Sequence, residues 1–87
     1  MWNVKIKKKA LKNLVQLPRN VQQLFAFLKR DMEQSGPVRT DWPNYSKLSK
    51  TEYHCHLNHH YVACWTATKE TITVEVYYVG SRENAPY

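Results

Sequence analysis

The sequence lacks the features of a secreted or membrane-bound protein. Its apolar stretches are only a few residues long, whereas a membrane-spanning helix needs roughly 20 apolar residues, and it shows no signal peptide. The two cysteines, Cys55 and Cys64, are too few for the disulfide framework of a small secreted domain. We therefore expect a cytoplasmic protein with both thiols reduced in the core, and a cross-strand disulfide is the less favoured alternative.

Acidic residues are scarce in the first part of the chain. Positions 1–50 hold 11 Lys and Arg against 3 Asp and Glu, a net charge of +8, whereas positions 51–87 hold 2 against 4, a net charge of −2. A basic lobe of this kind attracts phosphate, an acidic protein or an anionic membrane. The charge alone does not choose among these partners.

The first 35 residues predict one strand and two helices of a single small domain. Residues 2–7 alternate apolar and polar side chains, which is the period of a strand with one buried face. The period then becomes helical over Lys8–Leu17 and again over Arg19–Gln34. Pro18 separates the two segments, and so short a turn predicts a helical hairpin.

The remainder predicts strands. Residues 38–50 have the composition of a connecting loop. Three segments rich in strand-forming residues follow, at Glu52–Leu57, Tyr61–Thr66 and Thr71–Val79, and Gly80 is expected to end the last one. The predicted fold is therefore α+β, with a strand, a two-helix hairpin and a three-strand antiparallel meander, and with the helices packed on one face of the sheet.

His54 and His56 are the first candidates for chemistry. Residues two apart on a strand point to the same side of the sheet, so both imidazoles should face away from Tyr53, Cys55 and Leu57. If these three residues meet the helices, the histidines lie on the open side. Such a pair suits proton transfer or part of a metal site, and it is also compatible with two solvated side chains of no function.

Two further histidines and two residues near the end of the chain complete the candidates. His59 and His60 lie in a predicted turn, and no carboxylate or cysteine stands at a spacing that would complete a metal site with them, so we predict no metal and no cofactor. Arg82 follows the last strand and could clamp a phosphate through its bidentate guanidinium, or be an ordinary surface arginine. Tyr87 could reach back over the sheet, or be a frayed end.

Together these elements resemble the RelE/ParE toxin superfamily of bacterial toxin–antitoxin systems. The resemblance covers nearly the whole chain and rests on the order of the predicted elements and on five segments: Lys-Lys-Ala-Leu-Lys at 8–12, Asn-Tyr-Ser-Lys-Leu at 44–48, Tyr-His-Cys-His-Leu at 53–57, Val-Ala-Cys-Trp at 62–65 and Val-Tyr-Tyr-Val-Gly-Ser-Arg-Glu-Asn-Ala-Pro-Tyr at 76–87.

The ribonuclease branch of this superfamily implies an activity and a site. Its members enter the ribosomal A site and cut messenger RNA without a metal ion: the ribose 2′-hydroxyl attacks the adjacent phosphate and leaves a 2′,3′-cyclic phosphate and a 5′-hydroxyl. The resemblance places the catalytic positions on His54, His56, Arg82 and Tyr87. It also implies an antitoxin partner that covers the basic face or displaces the C-terminal segment.

Departures from the family pattern keep alternatives open. The arginine that the ribonuclease branch has on the third strand of the fold falls on Val62, in the segment Tyr61–Thr66. One phosphate contact is therefore missing, and an inactive, degenerate toxin is one alternative. Toxins of the ParE type share the fold but act on DNA gyrase without cutting RNA, and a small metal-binding protein built on the histidines is a second alternative. For the ribonuclease we expect basic residues to hold RNA and the ribosome, namely Lys8, Lys9, Lys12, Lys47 and Lys50.

Overall fold

The computed structural model describes residues 1–87. A short strand, β1 (Asn3–Ile6), leads into two helices, and four strands and a 3-10 turn follow them. The elements after β1 are α1 (Lys8–Leu14), α2 (Arg19–Ser35), β2 (Ser46–Lys47), β3 (Glu52–His56), β4 (Tyr61–Thr68), β5 (Thr73–Ser81) and the 3-10 turn Arg82–Asn84.

All five strands form one sheet in the order β1-β5-β4-β3-β2. The three long strands β3, β4 and β5 form the predicted antiparallel meander, and β1 pairs with β5 in parallel. This arrangement confirms the α+β fold. The prediction of an uninterrupted loop over residues 38–50 is wrong, because Ser46 and Lys47 pair with His54 and Tyr53 as an extra edge strand. A two-residue strand is too short to carry a recognisable period.

The core lies between the helices and one face of the sheet. The apolar stripe of α2 is buried there, with Val21, Phe25, Leu28 and Met32 each at most 2% exposed. From the sheet come the predicted inward residues of β3 and the fully buried Trp65, whose indole N–H donates a hydrogen bond of 3.1 Å to the carbonyl of Pro37. The stripe was predictable because burial along a helix repeats every three to four residues.

Both cysteines are buried and carry free thiols, as predicted. Burial is the first cause that raises the pKa of each thiol to about 12. The two side chains point to opposite faces of the sheet, because Cys55 pairs with Ala63 while Cys64 pairs with His54. No helix in the structure is long and apolar enough to cross a membrane.

Helix α1 lies along the edge of β5 rather than deep in the core. It ends at Leu14 instead of Leu17, and of the predicted apolar side Leu11 and Val15 are exposed. The side-chain amide of Asn13 donates a hydrogen bond to the carbonyl of Val79. Strand β1 pairs only with the first part of β5, and Asn13 supplies a hydrogen-bond partner for a backbone carbonyl beyond that part. The contact of α1 with the edge of β5 depends on one polar side chain, Asn13. The spacing of apolar residues along the helix therefore could not predict it.

Gly80 lies inside β5, so the prediction that it ends the strand is wrong. It is buried and pairs with Val62. A Cβ atom at this position would lie 2.5 Å from the amide nitrogen of Asn13 and 2.8 Å from the hydroxyl of Tyr78. Glycine is therefore required by the close approach of these two side chains and not by a turn.

Candidate functional site

The strand register brings the candidate residues onto one face of the sheet. Residues directly opposite each other in neighbouring strands point to the same side, and His54 stands between Ser46 and Cys64 while His56 stands opposite Val62. We call this side, which faces away from the helices, the site face. As predicted, Tyr53, Cys55 and Leu57 lie on the other side in the core.

His54 is less open than the sequence predicts. It is only 7% exposed, because the ring of Tyr87 lies over it with the ring centroids 4.5 Å apart and the planes at 50°. The His56 ring is 5.8 Å from the His54 ring and is half-buried. The expectation that Tyr87 folds back over the sheet is thus confirmed, and the expectation that His54 is open to solvent is wrong.

Both imidazoles have a pKa below the ordinary histidine value. Burial is the main cause of the lowered pKa of His54, and a hydrogen bond with the backbone of Ser46 opposes it. Burial also lowers the pKa of His56, and the nearby charges of His54, Arg82 and His59 lower it further. Neutral imidazoles therefore predominate near neutral pH, and a neutral imidazole can accept a proton.

Two residues from the segment before β3 contact the histidine rings. The hydroxyl of Ser46 lies 3.0 Å from Nδ1 of His54, and the amide nitrogen of Asn44 lies 3.4 Å from Nδ1 of His56. Neither residue is indicated by a period in the sequence, because residues 38–50 have the composition of a loop. The only signal for them is the Asn-Tyr-Ser-Lys-Leu segment of the family resemblance.

Arg82 is brought to the same end of the sheet by the 3-10 turn that follows β5. Its backbone N–H donates a hydrogen bond of 2.8 Å to the carbonyl of His60, while its side chain is exposed. Its charge lowers the pKa of both His56 and Tyr87. A guanidinium is suited to bind a phosphate that approaches these groups.

Val62 lies on the site face, directly opposite Gly80 and His56 in the register. It is fully buried. At the position where the family resemblance places an arginine, this chain therefore has an apolar residue beneath the site.

The predicted RNA-binding lysines do not all lie together. Lys9 and Lys12 of α1 line a groove of about 750 Å³ between α1, β5 and the end of the chain, and Lys8 is exposed on the same helix. Lys47 lies over the Tyr53 ring at 5.4 Å, on the face opposite the histidines, and Lys50 lies in the connection between β2 and β3. The groove is lined also by polar and aromatic residues, among them Asn13, Tyr77, Tyr78 and Asn84, and by Pro86.

The α1 lysines are free of carboxylate partners. The two ion pairs of the structure, Lys29–Glu33 and Arg39–Asp41, lie in α2 and in the loop after it. The positive charge of α1 is therefore available to an external anion.

His59 and His60 are exposed in the turn between β3 and β4. The side chain of Asn58 organises this turn, because its oxygen accepts hydrogen bonds from the backbone N–H groups of His60 and Tyr61 at 2.9 and 3.0 Å. No group of three or more His, Cys, Asp or Glu side chains lies close enough together to hold a metal ion.

The fold is that of RelE toxins. The chain is similar to archaeal RelE in the RelE–RelB complex from Pyrococcus horikoshii OT3, with 18% identity and a TM-score of 0.77 over 97% of this chain and 98% of that one. It is similar to the isolated E. coli RelE toxin, with 17% identity and a TM-score of 0.78 over 99% and 89% of the two chains.

A third match is in the YoeB–YefM complex from Staphylococcus aureus, with 13% identity and a TM-score of 0.72 over 92% of this chain and 95% of that one. No protein-family profile matches the sequence, and no curated protein matches it. At such identities the similarity establishes the fold.

Proposed function

We propose that this RelE-like chain is the toxin of a bacterial toxin–antitoxin system and that it cleaves messenger RNA in the ribosomal A site without a metal ion. One observation carries the proposal: His54, His56 and Tyr87, from two different parts of the chain, meet on the site face, and Arg82 begins the 3-10 turn that precedes Tyr87. These are the four positions that the sequence resemblance assigns to the ribonuclease site.

The chemistry that these groups support is transfer of the phosphate to the neighbouring 2′-oxygen. One histidine takes the proton of the 2′-hydroxyl, and the 2′-oxygen forms a bond to phosphorus. The bond from phosphorus to the 5′-oxygen breaks, and that oxygen takes a proton from the second histidine or from Tyr87. Arg82 stabilises the additional charge on the phosphoryl oxygens, where a fixed cation contributes most.

The groove along α1 supplies the proposed contact with RNA. Lys9 and Lys12 line it and have no carboxylate partner, and it adjoins the end of the chain that carries Tyr87. Lys8 extends the same charge along the helix. Lys47 and Lys50 are proposed as additional phosphate contacts at the other edge of the sheet, where β2 lies.

An antitoxin is the second proposed partner, and the cytoplasm is the proposed location of both. Two of the similar structures are complexes, RelE with RelB and YoeB with YefM. The net charge of +6 suits an acidic partner as well as RNA. The proposed antitoxin would cover the basic face or displace the segment that ends in Tyr87.

The test is cleavage of a short messenger RNA on programmed 70S ribosomes, mapped by primer extension, for the wild type and for His56→Ala. We expect cuts that need the ribosome, resist EDTA and fall at least about 100-fold in the variant, since a positioned acid or base contributes typically 10²–10⁴-fold and a donor that stabilises charge on the phosphate contributes about 10²–10³-fold. The matched control is His60→Ala, which removes an exposed histidine of the turn. A folded wild type that cuts nothing would overturn the nuclease proposal and favour a toxin of the gyrase-directed type.

A further inference from the structure

Asn44 and Ser46 each contact one histidine of the site, and in both cases the atom contacted is Nδ1. The Ser46 hydroxyl is 3.0 Å from Nδ1 of His54, and the Asn44 amide nitrogen is 3.4 Å from Nδ1 of His56. A neutral imidazole has a proton on one ring nitrogen and a lone pair on the other. The partner of Nδ1 therefore decides whether Nε2, the other nitrogen, is a proton acceptor or a donor.

Asn44 presents a donor to His56. An amide NH₂ group has no lone pair to offer, so Nδ1 of His56 accepts this hydrogen bond and the ring proton stays on Nε2. The groups that face the ring are His54 on β3, His59 in the turn after it and Arg82, and all of them disfavour a charged His56. No carboxylate opposes them, so the ring remains neutral with an Nε2–H.

The backbone holds Asn44 in place. The N–H of His56 donates to the carbonyl of Pro43 over 2.8 Å, and the indole N–H of Trp42 donates to a carboxylate oxygen of Asp31 over 2.9 Å. Asn44 itself has a φ of +53°, a left-handed conformation that asparagine tolerates better than most residues. The amide therefore comes from a segment that is anchored to both β3 and α2.

Ser46 presents its hydroxyl to His54. Its strand β2 pairs with β3 so that Ser46 stands directly opposite His54, with the hydroxyl oxygen 3.0 Å from Nδ1. A serine hydroxyl can accept a hydrogen bond from an Nδ1–H, and that arrangement leaves the lone pair of the ring on Nε2. A base for the 2′-hydroxyl needs such a lone pair, and this tautomer presents it on the nitrogen that Ser46 does not contact.

We propose that Asn44 and Ser46 are positioning residues that hold the two histidines in opposite tautomers, with a bare Nε2 on His54 and an Nε2–H on His56. The assignment of chemical roles rests on the proposed function. His54 is then the base for the 2′-hydroxyl, and His56 is a neutral donor that binds a phosphoryl oxygen without releasing its proton. Such a neutral donor serves electrostatic stabilisation and not proton transfer.

The proton balance of the reaction then closes through Tyr87. The 2′-oxygen bonds to phosphorus while its proton moves to Nε2 of His54, and the bond from phosphorus to the 5′-oxygen breaks as that oxygen takes the phenol proton of Tyr87. The resulting phenolate regains a proton from the imidazolium of His54, whose ring it contacts. No other acid, base or metal is required.

The tautomers are measured directly by NMR of ¹⁵N-labelled imidazoles in the free protein, at a pH well above the ordinary histidine value of about 6.5. In the wild type we expect Nδ1–H on His54 and Nε2–H on His56. Asn44→Asp replaces the donor by an acceptor, so His56 should change to Nδ1–H and its pKa should rise. Asn44→Gly keeps the left-handed backbone and removes the amide, so His56 should become a mixture of the two tautomers.

His54 is the internal control, since neither variant changes Ser46, and Asn20→Asp is the matched control for the added charge because Asn20 is exposed on α2. A wild-type His56 with its proton on Nδ1, or an Asn44→Asp variant whose His56 tautomer does not change, would overturn the proposal. The NMR measurement needs no ribosome, so it tests the tautomers independently of the nuclease activity.

Cleavage on ribosomes tests the roles. We expect Asn44→Asp to lower kcat at least about tenfold with KM nearly unchanged, because the lost contact acts on the transition state, and we expect Asn44→Gly to have a smaller effect. A wild type that has the expected tautomers but cleaves no RNA would overturn the proposed function, and the assignment of the tautomers would be unaffected. A cleaving wild type with the same tautomer on both histidines overturns the further inference alone.

Discussion

Tyr87 lies over His54, with the two ring centroids 4.5 Å apart. The two residues are 33 positions apart in the chain. Because burial is the main cause of the lowered pKa of His54, part of that shift depends on the tyrosine ring.

Removing the ring should therefore raise the pKa of His54 towards the ordinary value of about 6.5. We expect this result for Tyr87→Ala, measured by NMR titration of the imidazole, while Tyr87→Phe, which keeps an aromatic cover, leaves the value close to that of the wild type. Equal titration curves for His54 in wild type and Tyr87→Ala would contradict the assigned cause.

The lowered pKa values of His54 and His56 make the stability of the fold depend on pH. With lowered values the folded protein binds fewer protons than the unfolded chain, so the free energy of unfolding rises with pH. The contribution is complete above the unfolded value of about 6.5 and is lost as the pH falls from there towards the folded values.

Urea unfolding between about pH 5 and pH 8 measures this dependence. We expect stability to decrease as the pH falls through this window, and a smaller decrease for His54→Gln. His60→Gln, at an exposed residue of the turn after β3, is the matched control for the substitution itself. A slope that is the same in His54→Gln as in the wild type would exclude His54 as its source.

Gly80 should not tolerate a side chain. The Cβ of Gly80→Ala would lie 2.5 Å from the amide nitrogen of Asn13 and 2.8 Å from the hydroxyl of Tyr78. Overpacking of this kind costs about 1–3 kcal/mol, and we expect a decrease of that size in the free energy of unfolding.

A double-mutant cycle with Asn13→Ala separates the contact from a general strand effect. The cost of Gly80→Ala should be smaller in the Asn13→Ala background, because one of the two obstructing groups is then absent. Equal costs in both backgrounds would show that Asn13 is not the obstacle.

The lysines of α1 should contribute binding and not chemistry. Replacing Lys8, Lys9 and Lys12 by glutamine should weaken binding to ribosomes and lower its salt dependence by about one unit of slope for each phosphate contact that is lost. The position of the cut and its 2′,3′-cyclic end should be unchanged. Lys69→Gln, in the turn between β4 and β5, is the control for the loss of one positive charge, and unchanged ribosome binding by the triple variant would refute the role of α1.

Spacing along one strand was enough to predict that His54 and His56 share a face opposite Tyr53 and Cys55. It was not enough to predict how open that face is. The ring of Tyr87 covers His54, and the hydrogen-bond partner of His54 is Ser46. Ser46 lies in a segment that has the composition of a loop and no regular period. Neither contact can be read from the alternation of residues within β3. The sequence alone left Tyr87 as either a residue that reaches back over the sheet or a frayed end, and the family resemblance assigned it to the site.

The sequence alone determined the elements in which apolar residues recur at a regular spacing. These are the strand Asn3–Ile6, the buried stripe of α2 and the three strands of the meander. Their order and alternation depend on contacts that every turn or every second residue repeats. The tertiary structure alone decided that Ser46–Lys47 is a strand, that Gly80 lies within one and that Asn44 reaches His56. Each of these features depends on a contact between segments that are distant in the chain. Such a contact produces no repeated spacing of residues from which it could be predicted.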